Sequence, residues 1–193
     1  MAEAKGATLL ATLDFVRRRA DAGTALRALA VLGAADRAAV EAVTPTDTID
    51  LELLFELWRA VDSVLKAEMP DWAEQAGAYS IESVGMQLYG GIVRKATPRE
   101  FLSQPVKLFR LFYHTGDMRI VDEGPDGAVL RLTDLEVTEP IFCRRQTGGL
   151  RAALALAGAD DATVRHVRCA FEGDAFCEWQ LQWRLPEPVS SDV

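Results

Sequence analysis

The sequence predicts an α+β domain, with a helical N-terminal two-thirds packed on an antiparallel sheet made of two hairpins separated by a helix. Two observations carry this prediction. Apolar residues recur at helical spacing up to Tyr113, and the period then shortens to two in segments that flank one more helical stretch. The order helices, hairpin, helix, hairpin gives one sheet whose apolar face the helices cover. The length of 193 residues suits one domain, assigned to residues 1–185, followed by a flexible Pro/Ser/Asp-rich tail over 186–193.

Each element has its own signal. Leu9, Leu13, Val16 and Ala20 share a helical face, and Leu26, Leu29 and Ala30 continue after a break at Ala22-Gly23-Thr24. Ala34–Val43 is a short third helix, and Pro45, Thr46 and Asp47 mark a turn. Thr48 or Asp50 caps a longer helix bearing Leu54, Leu57, Trp58, Val61, Val64 and Leu65, which Pro70 ends. The next helix runs from Trp72 toward Lys95, with Gly90-Gly91 as an interruption or a helix end. Thr97-Pro98-Arg99-Glu100 is a capping box with proline at the first helical position. Pro105 splits or kinks that helix before Phe109–Tyr113.

Met118–Glu123, the turn Gly124-Pro125-Asp126-Gly127 and Ala128–Thr133 read as the first hairpin. Glu139–Ala159 reads as a helix with an irregular patch at Gly148-Gly149. Thr163–Phe171, Glu172-Gly173-Asp174 and Ala175–Arg184 read as the second hairpin. Cys177, Trp179, Leu181 and Trp183 face one way, matched by Val167, Cys169 and Phe171 on the partner strand.

Composition excludes several functions. The net charge of −8 repels phosphate backbones, so neither nucleic acid nor an anionic membrane surface is an expected partner. No secretory signal is visible, and no apolar stretch reaches the roughly 20 residues that span a bilayer. The expectation is a cytoplasmic protein. Three cysteines argue against a disulfide framework. No phosphate loop, nucleophile elbow or zinc-protease helix is present, and no acid–base pair stands out, so a non-enzymatic role is expected. The acidic pairs Asp160-Asp161 and Glu172/Asp174 lie at turns, where aspartate bonds the backbone.

One constellation does stand out: Cys143, His166, Cys169 and Cys177 all lie in the last third. Cys169 and Cys177 are eight apart and point to one face of the hairpin. Three thiolates and an imidazole suit tetrahedral zinc. The competing reading is that the cysteines are small core residues beside Trp179. Strict alternation puts His166 on the face opposite Cys169, and only a bulge at Val167-Arg168 would bring both to one side.

The aromatic residues Phe55, Trp58, Tyr79, Tyr89, Phe109, Phe112 and Tyr113 fit a core by their spacing. A second reading makes Trp58, Tyr89, Phe112 and His114 the lining of an apolar pocket, with His114 as the polar group that orients a ligand. His114 also fits as a helix-end cation, and Arg144-Arg145 as a solvated face rather than an anion site.

The segments Glu139-Pro140-Ile141-Phe142-Cys143 and Cys169-Ala170-Phe171-Glu172-Gly173-Asp174-Ala175-Phe176-Cys177 resemble the C-terminal part of the 4-vinyl-reductase-like ligand-binding domain. That domain is the sensor module of phenol-sensing bacterial activators and belongs to the fold group of TRAPP subunits and haem nitric-oxide-binding domains. The resemblance covers about 45 residues. It implies a structural zinc ion at Cys143, His166, Cys169 and Cys177, with His166 in place of the family's carboxylate. It also implies a small apolar or aromatic ligand, a homodimer, and a partner protein that takes the output. The haem branch's Tyr-x-Ser-x-Arg motif is absent, so no haem is expected. The alternative function is a TRAPP-like assembly subunit without a ligand. An enzyme-associated role in tetrapyrrole metabolism rests on the family name alone.

Overall fold

The computed structural model describes residues 2–85, 97–102, 105–135 and 139–184. The expected tail and the positions Tyr89 and Gly90-Gly91 lie outside the described residues.

The chain opens with strand β1 (Glu3–Lys5), then α1 (Gly6–Arg19), α2 (Ala22–Val31), α3 (Ala34–Ala42), β2 (Thr48–Asp50) and α4 (Leu51–Leu65). Asp21 caps α2 by accepting from the Thr24 amide at 2.8 Å, so the break falls before Ala22 and not within Ala22-Gly23-Thr24. Of the two candidate caps for α4, Asp50 serves, accepting from the Glu52 amide at 2.9 Å. β1 and β2 pair antiparallel, Ala4 opposite Ile49, and carry no sequence signal because three residues are too few to show alternation.

α5 (Trp72–Ser80) runs into a π-helical turn (Ile81–Gly85). α6 spans Pro98–Leu102, and α7 spans Pro105–Phe112 with the second proline as its first residue. The capping box forms, Thr97 Oγ1 accepting from the Glu100 amide at 3.2 Å.

The sheet is built as expected from two hairpins around a helix: β3 (Asp117–Glu123), β4 (Gly127–Thr133), α8 (Pro140–Leu156), β5 (Asp160–Arg168) and β6 (Cys177–Arg184). The strand order is β3-β4-β6-β5, antiparallel throughout. Leu130 lies opposite Trp179 and Leu132 opposite Cys177, so the apolar faces of both hairpins form one surface. The loop between β5 and β6 holds a 3-10 turn, Ala170–Glu172, and Gly173 at φ 105°. No described helix is long and apolar enough to cross a membrane.

α8 is the central element. Thr147 receives the Trp179 indole N–H at 3.0 Å and donates to the Cys143 carbonyl at 3.0 Å, which satisfies the buried indole and fastens the helix to the sheet. Gly148-Gly149 causes no irregularity; the helix is continuous. A Cβ on Gly148 would stand 1.8 Å from the Glu74 carbonyl oxygen, and one on Gly77 2.0 Å from that of Arg145. The glycines are therefore contact points where α5 and α8 touch backbone to backbone.

Between α4, α7 and α8 lies an aromatic cluster. Phe142 meets Tyr113 at 5.1 Å, Phe55 and Phe109 at 6.3 Å, and Trp58 at 6.4 Å between ring centroids. Trp58 donates its indole N–H to Thr12 at 3.1 Å, tying α4 to α1. At the start of α8, the buried Glu139 carboxylate caps the helix at the Ile141 amide (3.1 Å) and accepts from Arg59 at 2.7 Å.

Two predictions follow from this packing. Gly148→Ala should lower stability by about 3 kcal/mol, because backbone cannot yield as a flexible side chain does. Gly149→Ala, whose nearest neighbour is an Ile81 side-chain carbon at 3.4 Å, should be neutral or stabilising. Equal urea midpoints for the two variants would refute the close-contact assignment. Glu139→Ala should cost about 1 kcal/mol through the lost cap, Arg59 keeping Glu52 and Glu56 as partners, read as a fall in the thermal midpoint; an unchanged midpoint would remove that role.

Candidate functional site

The structure brings Cys143, His166, Cys169 and Cys177 together, their four candidate donor atoms all within 4.8 Å of one another. Cys143 comes from the first turn of α8 and Cys177 begins β6. His166 lies in β5 and Cys169 just beyond it. The bulge that strict alternation lacked is present. Pairing runs Arg165 to Gln180 and His166 to Trp179, then resumes at Arg168 with Glu178, leaving Val167 as the extra residue. Val167 is therefore 41% exposed and not on the apolar face. Phe171 is also displaced, half-buried in the 3-10 turn. The His166 ring stacks on Trp179 at 4.8 Å, on the buried side of the sheet.

The three cysteines are buried and unoxidised. Cys143 Sγ and Cys177 Sγ are 3.5 Å apart. The backbone fixes the loop side: the Ala170 amide donates to Cys177 Sγ at 3.4 Å, and the Cys169 amide to the Asp174 carboxylate at 2.8 Å. The hydrogen bond with Cys143 draws the Cys177 thiol down to about 5, against burial and with help from His166. The same bond, and then burial, push Cys143 upward. The two share one proton, with the thiolate on Cys177. Burial raises Cys169. His166 Nε2 is buried without a hydrogen-bond partner among the described residues. Three sulfurs, one of them ionised, and an imidazole make a soft donor set.

The four residues expected to line a ligand pocket do not converge among the described residues. Trp58 is fully buried in the aromatic cluster and Phe112 is half-buried. His114 is exposed and its Nδ1 lies 3.4 Å from the Glu3 carboxylate. Tyr89 is outside the described residues. A pocket of about 500 Å³ does open beside His114, lined by Arg110, Tyr113, His114, Thr115, Gly116 and Asp134. Tyr113 is its one buried lining residue and connects it to the aromatic cluster through Phe109 and Phe142.

Sequence reasoning missed the arginines of α8. Arg144 is no free surface cation: it donates to Asp62 at 3.1 Å and to the Pro70 carbonyl at 3.3 Å. Arg145 is 4% exposed, with its guanidinium carbon 4.6 Å from the centroid of the Trp58 ring. The available signal was its position three residues after Phe142, on the helical stripe that faces the core.

The shared thiol proton predicts a pH dependence. With Cys177 depressed and Cys143 raised, the folded pair holds one proton between about pH 5 and the ordinary thiol range, where the unfolded chain holds two. Stability of the metal-free protein should therefore rise with pH from about 5 toward 9 and fall above it. Cys177→Ser should flatten the rise; a wild-type thermal midpoint that is level from pH 5.5 to 8.5 would contradict the shared proton.

No family model matches the chain, and no curated protein matches it. Solved structures do. An unliganded Fe(II) H-NOX protein from K. algicida matches with TM-score 0.72 and 9% identity, over 95% of this chain and 98% of that one. An H-NOX protein from S. oneidensis in the Fe(II)NO ligation state matches with TM-score 0.72 and 14% identity, over 93% and 99%. A third, from work probing the function of heme distortion in the H-NOX family, matches with TM-score 0.65 and 12% identity, over 96% of each chain. These matches correct the expectation of a zinc cofactor with haem excluded. The neighbours carry iron and haem by their own descriptions, and the soft donor cluster by itself assigns no ion. Over nearly its whole length the chain is similar in fold to H-NOX proteins, which belong to the fold group that the sequence resembled.

Proposed function

We propose that this chain is a sensory domain that binds a small molecule where its helices meet its sheet. The fold likeness to H-NOX proteins, at TM-score 0.72 over more than nine-tenths of the chain, carries this reading. The pocket beneath Arg110, His114 and Asp134 supports it, because its buried wall is Tyr113, one edge of the aromatic cluster. His114 would orient a polar group of the ligand, while Tyr113 supplies aromatic surface. A homodimer and a partner protein would carry the output. Cys143, His166, Cys169 and Cys177 would ligate a metal ion that clamps α8 to the second hairpin, since four protein donors leave no open position for chemistry.

Haem, named in the descriptions of the neighbours, is poorly matched by the described side chains. The sequence has two histidines. His166 stacks on Trp179 within the cysteine cluster, and His114 faces Glu3 at the surface. Phe55, Trp58, Phe109, Tyr113 and Phe142 pack against one another and fill the space between α4, α7 and α8.

N-phenyl-1-naphthylamine, a neutral fluorescent probe, tests the reading. Wild-type protein should bind it saturably at one site. Thr115→Trp, which places an indole in the pocket from a half-buried position, should weaken binding by about tenfold or more with unchanged circular dichroism. No saturable binding, or equal affinity in the variant, would defeat the proposal and favour the ligand-free assembly role.

A further inference from the structure

We propose that Arg145 is the anion anchor of the interior and that the ligand is a small aromatic carboxylate. The inference rests on the small-molecule reading above and names the chemistry of the molecule bound.

Arg145 is a buried cation without a counter-charge among the described residues. Its Nη2 donates to Ser80 Oγ at 3.1 Å, one face of the guanidinium lies over Trp58, and Nη1 is buried with no hydrogen-bond partner. No carboxylate pairs with it among the described residues, whereas the more exposed Arg131 and Arg144 each pair with one and Arg59 with three. A hydroxyl and an aromatic face offset little of the cost of burying a full charge. The group cannot escape by losing its proton: burial lowers it only to about 10, so it is charged at neutral pH. A cation held in place at this cost, with one donor left over, is arranged for an anion that arrives from outside.

The surroundings select the kind of anion. Trp58, Phe142 and Tyr113 put aromatic surface around the guanidinium and the neighbouring core. Tyr113, close enough for its charge state to respond to Arg145, also forms the buried wall of the surface pocket. Burial pushes that phenol up to about 12, so it stays neutral and adds no competing negative charge. One guanidinium suits one carboxylate, while a phosphate dianion would call for several donors. The chain as a whole is acidic, so the positive site is local and not part of a general anion-attracting surface.

The test uses 1-naphthoate against its neutral analogue 1-naphthamide, titrated calorimetrically into the full chain. Wild type should bind the carboxylate about tenfold tighter than the amide. Arg145→Met should abolish that preference while amide binding persists, and Arg145→Lys should keep part of it. Equal affinities in wild type, or a preference that survives in Arg145→Met, would overturn the anchor while leaving the small-molecule reading intact. Binding of neither probe to wild type would overturn both. If Arg145→Met does not fold, the wild-type ratio and the lysine variant decide: a ratio near one, or a ratio unaltered by lysine, counts against the anchor.

Discussion

Backbone contact between α5 and α8 sets the positions on which the rest of the molecule depends. Gly77 sits under the Arg145 carbonyl and Gly148 under that of Glu74, at separations that leave no room for a methyl group. With α8 held there, its successive faces are committed. Cys143 and Thr147 turn to the second hairpin, Arg145 turns to the interior, and Phe142 enters the aromatic cluster. A helix that rolled even slightly would move all of these together, because side chains on one helix share its rotation. Glu139 and Arg59 fix the first turn from outside, so α8 is constrained at its start and along its length.

The cysteine–histidine cluster and the Arg145 site are two consequences of this one helix placement, with opposite electrostatic character. In the cluster, three thiols crowd together and the cheapest arrangement shares a proton, leaving negative charge on Cys177 beside His166. At Arg145 a positive charge is buried with no carboxylate beside it among the described residues. Each buries a polar nitrogen, His166 Nε2 or Arg145 Nη1, with no hydrogen-bond partner among the described residues. Such places are where a structure spends stability on binding.

Much of this was legible in the sequence. Helical spacing over Leu54–Leu65, the Thr97–Glu100 capping box and the alternation of Cys177–Trp183 each correspond to the element they forecast. That Cys169 and Cys177 share a face could be read from hairpin spacing, but the approach of Cys143 from α8 and the place of His166 could not. A bulge is one extra residue at Val167, and nothing local in Val-Arg-Cys announces it. The strands β1 and β2 went unseen because their pairing joins segments far apart in the chain and each is only three residues long.

By itself, then, the sequence determined the α+β class, the identity and order of the main elements, and the residue types available for chemistry. These depend on periodicity and capping, which act within a few residues. Only the tertiary structure decided that Gly148 marks a helix contact and not an irregularity, that Arg145 is buried, and that His114 faces Glu3 rather than Trp58. Each of those outcomes depends on what another segment presents across a gap of a few ångströms. A glycine or an arginine looks the same in sequence whether its neighbour is water or backbone.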